Sequence, residues 1–158
     1  MKKLDNIIVK VIYVLCASLM GLMAVVITAQ VLSRYILGSP LTWSEELGRF
    51  TFVWISFLGM AVGINKGSHI ALDLLVTKLK GVSKKVLLAI NNALVSIFGI
   101  LFTYSGFLLV ELGARQTSPS LNLPMNLVYI VIPISGIILV YFVISETVQM
   151  FQRKEDTV

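Results

Sequence analysis

The feature that most constrains this chain is a run from Val11 to Ser33 that carries no charge. About 20 apolar residues, rising about 1.5 Å each, are enough for a helix to cross the roughly 30 Å hydrocarbon core of a bilayer. Val86 to Val110 is a second such run, and Gln116 to Ser145 is uncharged throughout, with Pro119 and Pro124 punctuating its start. Phe50 to Asn65 is uncharged but too short. Its helix must start near Trp43 and carry Glu45, Glu46 and Arg49 into the headgroup zone. Only 13% of the 158 residues are charged and 57% are hydrophobic. A soluble domain has about 25% charged residues, so this chain cannot cover a water-facing surface. Its solvent is lipid.

The expectation is one all-α integral membrane domain over residues 1–158. Four spans fall at about 11–33, 44–65, 86–110 and 126–146, with Pro133 as a kink candidate in the last. The first is expected to remain uncleaved, because the apolar region of a signal peptide is only about 7–15 residues and no A-x-A-like site closes this run. Placing both termini in the cytoplasm puts Lys2, Lys3, Lys10, Lys66, Lys78, Lys80, Lys84, Lys85, Arg153 and Lys154 inside. Only Arg34, Arg49 and Arg115 are then outside. The positive-inside rule favours that orientation.

Between spans two and three, residues 69–80 place Leu72, Leu75, Val76 and Leu79 on one helical face and Asp73, Thr77 and Lys80 on the other. An amphipathic helix lying in the cytoplasmic interface is expected here, with His69 and Asp73 near its start and Lys78 and Lys80 toward headgroups. The net charge of +5 flanks apolar spans and lines no groove with stacking aromatics, so no nucleic-acid partner is implied.

The stretch "RYILGSPLTWSEELGRF", Arg34 to Phe50, holds most of the polar chemistry. Thr42 and Glu45 have capping-box spacing, and Glu45 and Arg49 are four apart, as in a helical ion pair. Trp43, Leu47, Phe50, Trp54 and Phe57 follow at spacings of four and three and make a bulky ridge. Such a ridge suits either lipid and internal packing or the groove of a second protein, where aromatics are favoured anchors. Gly59 and Gly63 form a GxxxG pattern that permits close backbone approach.

Catalytic chemistry has no inventory here. There is one histidine, one cysteine, no phosphate loop and no nucleophile–base pair. No catalytic, metal or substrate-binding residue is assigned and no cofactor is expected. The span centres hold no ionisable residue of the kind that marks a solute or proton pathway. Gln30, Asn91 and Asn92 are the polar exceptions, expected to hydrogen-bond between helices.

"RYILGSPLTWSEELGRF", "FLGMAVGINKGSHIALDLL" and "SPSLNLPMNLVYIVIPISG" resemble, in order and spacing, the small membrane subunit (DctQ type) of tripartite ATP-independent periplasmic (TRAP) transporters. That resemblance implies a bacterial inner-membrane protein that is not an enzyme. It implies a large membrane subunit that moves an organic anion, a dicarboxylate or a sialic acid, with sodium, and a periplasmic binding protein that delivers it. The small subunit would brace the large one. Trp43, Leu47, Phe50, Trp54 and Phe57 are the candidates for the large-subunit contact. Arg34, Glu45, Glu46, Arg49 and Arg115 are candidates for contact with the binding protein or phospholipid. Two other readings are a self-sufficient four-helix exporter, which needs an acidic residue at mid-membrane, and a respiratory membrane anchor, whose haem would need paired histidines.

Overall fold

A computed structural model describes residues 2–39, 41–65 and 82–152. The expected interfacial helix at 69–80, with His69, Asp73, Lys78 and Lys80, lies outside the described residues. Helix α1 covers Lys2–Ile36, α2 Thr42–Asn65, α3 Val82–Gly113, α4 Asn126–Tyr129 and α5 Val131–Gln152. Four stretches are long and apolar enough to cross a membrane: Lys3–Ile36, Thr42–Ile64, Val86–Gly113 and Asn126–Val148. At 35 residues, α1 is about 52 Å long. It therefore tilts in, or projects from, a core of about 30 Å.

The spans pack in the order α1, α2, α5, α3, and no contact of comparable extent joins α1 to α3. Half of the most apolar window of the fourth span is buried inside the chain, against 11% of the first and third. The last helix is thus the most enclosed, flanked by α2 and α3, and the outer two, α1 and α3, present their apolar faces outward. Ile12, Leu58, Val62, Val131 and Ile132 form a core cluster between α1, α2 and α5.

Lipid tails are as apolar as leucine, so hydrophobic burial does little to join helices in a bilayer, and close packing and hydrogen bonds take over. The α3–α5 seam shows the first. Gly99, Gly106 and Gly113 are seven apart on α3 and share one face. A Cβ at Gly106 would lie 2.7 Å from Pro133 N and 2.8 Å from its Cδ. A Cβ at Gly99 would stand 2.7 Å from Leu139 and Val140 side chains, and one at Gly136 would meet Thr103. Gly59 and Gly63 behave differently: a Cβ at either meets nothing within 4 Å. The close approach foreseen at that GxxxG pair occurs within this chain at α3–α5 instead.

Hydrogen bonds supply the second. Asn92 Nδ2 donates to Thr147 Oγ1 at 3.1 Å, and Gln30 Nε2 to Glu45 Oε1 at 3.0 Å. Gln30 and Asn92, two of the three polar span residues, thus bridge helices, as their chemistry requires in an apolar solvent. Asp5, only 6% exposed, accepts from the hydroxyls of Tyr141 at 2.9 Å and Ser145 at 2.8 Å. The start of α1 is thereby tied to the far half of α5.

Pro133 sits in the first turn of α5, where a missing N–H is tolerated. Between α4 and α5, Ile130 keeps helical φ −59° and ψ −24°, donates to Asn126 O and accepts from Ile134 N at 3.3 Å, so the two helices form one continuous path.

Candidate functional site

The polar residues gather at the end of the bundle where α1 finishes and α2 begins. Gly38 adopts φ 64°, the left-handed conformation that terminates helices. The Ser33 hydroxyl, inside the last turn of α1, donates to the Ser39 carbonyl at 2.6 Å and holds the turn closed. Helix α2 then starts at Thr42, where the Ser44 hydroxyl donates to the Leu41 carbonyl at 2.6 Å. The capping box expected from Thr42 and Glu45 does not carry this start. Glu45 is engaged across the helix pair by Gln30.

Over the same end lies the connection between α3 and α4. Its backbone folds back on itself as a small hairpin: Ser118 N donates to Leu123 O at 2.9 Å, Met125 N to Gln116 O at 2.9 Å, and Thr117 bridges Pro124. Asn122 takes φ 51° at the turn, a conformation asparagine tolerates better than most residues. One side chain fastens this hairpin to α2. Glu46, 3% exposed, accepts from Ser120 N at 3.2 Å and Leu121 N at 3.0 Å. The buried Ser118 side chain hydrogen-bonds the same carboxylate. Adjacent in sequence, Glu45 and Glu46 thus face opposite neighbours: one is turned to α1, the other to the hairpin.

Between these elements is a depression of about 510 Å³ whose wall includes Arg34, Glu45, Glu46, Arg49 and Ser120. Arg34 comes from the last turn of α1 and Arg49 from the second turn of α2. Both are exposed, as is Arg115, which stands outside the depression. No group of three histidine, cysteine, aspartate or glutamate side chains poised for a metal occurs among the described residues.

The ridge of α2 divides along its length. Trp43 is 40% exposed, and Leu47 and Phe50 are half-buried. Trp54 and Phe57 pack against the core cluster, with the Phe57 and Phe102 rings 5.4 Å apart. Sequence reasoning passed over Asp5, Tyr141, Ser145 and the Ser118–Leu121 segment. Nothing local marks Asp5, whose partners lie well over a hundred residues downstream. The seven-residue glycine spacing of α3, by contrast, was a visible signal.

The sequence pattern of the "Tripartite ATP-independent periplasmic transporters, DctQ component" matches residues 23–153. The C4-dicarboxylate TRAP transporter small permease protein DctQ of Rhodobacter capsulatus is 32% identical over 118 residues, covering 73% of this chain and 52% of that protein. The chain thus spans about half of that relative's length. The sialic acid TRAP transporter small permease protein SiaQ of Vibrio cholerae is 26% identical over 140 residues, 83% of this chain and 81% of that one. The isethionate TRAP transporter permease protein DctMQ of Oleidesulfovibrio alaskensis is 32% identical over 125 residues, 73% of this chain but only 20% of that longer one. A match over most of the chain, on four helices fit to span a bilayer, places it in the DctQ family of TRAP transporters: a small permease subunit of the inner membrane, multi-pass and not an enzyme.

Proposed function

We propose that this subunit carries no solute itself and braces a large TRAP membrane subunit, which moves an organic anion inward with sodium after a periplasmic protein delivers it. The observation that carries this reading is the open row of helices. The outer spans α1 and α3 keep only 11% of their most apolar windows inside the chain, and no Asp, Glu, Lys, Arg or His lies at mid-span to escort a solute. A row of this kind offers wide apolar faces to a neighbour and no pathway of its own. DctMQ supports a large partner, because the family sequence there is a fifth of a longer permease chain. The names of the relatives, dicarboxylate, sialic acid and isethionate, support an organic anion as the solute. A dicarboxylate or a sialic acid is the expected class.

In this reading both termini are cytoplasmic, as the cation count favours. Trp43, Leu47, Phe50, Trp54 and Phe57 form the large-subunit contact, with Trp43, Leu47 and Phe50 as its outward half. Arg34, Glu45, Glu46, Arg49 and Arg115 face the periplasm, toward the binding protein or lipid headgroups.

The test is reconstitution. Vesicles holding this chain alone should accumulate no organic acid under a sodium gradient, whereas vesicles holding it with the large subunit and the binding protein should. Accumulation by the chain alone would sink the scaffold reading.

A further inference from the structure

We propose that the depression between the end of α1 and the start of α2 binds the headgroup of an aminophospholipid, its phosphate on Arg34 and Arg49 and its ammonium on Glu45. At about 510 Å³ the depression lies within the roughly 300–1,000 Å³ range of small-ligand sites. Its charges are arranged for a zwitterion. Arg34 and Arg49 reach it from two different helices, and guanidinium groups match phosphate oxygens with paired hydrogen bonds. Of the two carboxylates in the wall, Glu46 is committed to Ser120 N, Leu121 N and Ser118. Glu45 is exposed, and its one bond to Gln30 uses a fraction of the four acceptor positions a carboxylate offers. Two cations and one available anion therefore face the opening, complementary to a phosphate joined to an ammonium.

The surroundings favour a lipid over a soluble anion. Tyr35, Ile36 and Leu37, next to Arg34, are 74–80% exposed. Trp43, next to Thr42 in the wall, has the amphipathic ring common at headgroup depth. These side chains flank wall residues in the chain and do not line the depression itself; a phospholipid, unlike a soluble phosphate, has glycerol and acyl chains to set against exposed apolar groups of this kind. This inference takes from the proposed function only that Arg34 and Arg49 lie at the outer leaflet. It needs neither the scaffold role nor the partner.

The experiment uses the full chain in nanodiscs of phosphatidylethanolamine or phosphatidylcholine with identical acyl chains, followed by gentle extraction and native mass spectrometry. One phosphatidylethanolamine should stay bound with about tenfold preference over phosphatidylcholine, whose trimethylated amine cannot donate to Glu45. Replacing both arginines, R34A with R49A, should abolish retention of both lipids. The milder pair R34K with R49K, checked for helicity and melting, should retain lipid more weakly. E45Q should keep retention but shrink the preference to about twofold or less. Equal retention of the two lipids by the unaltered chain would overturn the proposal, as would retention unaffected by R34A with R49A. Displacement of the lipid by millimolar inorganic phosphate would overturn it too, identifying a soluble-anion site. So would binding-protein capture that is lost in R34A with R49A while lipid retention persists.

Discussion

The Tyr141 hydroxyl donates to Asp5 Oδ1 across 2.9 Å, joining the first turns of α1 to the middle of α5. Helix α1 otherwise packs mainly on α2, so this bond and its companion from Ser145 close one end of an otherwise open row. Replacing Asp5 by Ala removes the acceptor of two hydroxyls, one on the buried Ser145. Each hydrogen bond lost costs about 0.5–1.5 kcal/mol. Asp5→Ala should lower the melting temperature of the detergent-purified chain, and Asp5→Asn, which keeps an acceptor oxygen, should lower it less. Equal melting of both variants and the parent would show that the clamp is ornamental to stability.

The glycines of α3 and α2 predict opposite outcomes. Gly106→Ala puts a methyl group 2.7 Å from the backbone nitrogen of Pro133, which cannot rotate away. Overpacking of this kind costs about 1–3 kcal/mol, read as a lower melting point and a loosened α3–α5 pair. Gly59→Ala meets open space and replaces a poor helix former, so the isolated chain should be unchanged or about 0.5–1 kcal/mol more stable. If Gly59→Ala nonetheless weakens recovery of the large subunit, the outer face of α2 is in contact with it.

Glu46 is a fastener rather than a reactive group. Glu46→Ala should speed amide hydrogen exchange at Ser120 and Leu121 by about tenfold, because local opening follows the loss of local bonds. Exchange in α2 and α5 should stay as it was. Glu45→Ala is the internal control: it frees Gln30 and leaves the hairpin amides protected. Unchanged exchange in Glu46→Ala would mean that the 116–125 backbone bonds alone hold the hairpin in place.

How far the chain explains its own fold differs between levels. Four spans are legible because a charge in hydrocarbon is costly, so long uncharged runs declare themselves. The order α1, α2, α5, α3 is not legible. Every span is apolar nearly all round, and no polar face tells the inside from the outside. The polar stretch from Arg34 to Phe50 was visible as a cluster, but the division of labour within it was not. Whether Glu45 caps its own helix or reaches α1 depends on where Gln30 falls, and what Glu46 holds is a hairpin whose first bonded amide is 74 residues away. Asp5 was hidden for the same reason. Capping and ion-pair rules describe neighbours within four residues, and in lipid a polar group takes whichever partner tertiary packing supplies.

The ridge of α2 yields the most discriminating variants. Trp54 and Phe57 touch the core cluster, so truncating either removes packing inside this chain as well as any outward contact. Trp54→Ala should therefore lower the melting point of the isolated subunit. Trp43 and Phe50 lie nearer the exposed end, and Trp43→Ala combined with Phe50→Ala should leave the isolated subunit folded and inserted. Aromatic anchors at interfaces commonly cost more than 1 kcal/mol each when truncated. The double variant should thus recover at least about tenfold less large subunit after detergent extraction, since tenfold corresponds to about 1.4 kcal/mol. Full recovery would place Trp43 and Phe50 against lipid and move the partner-facing surface to the outward faces of α1 and α3, which bury even less of themselves.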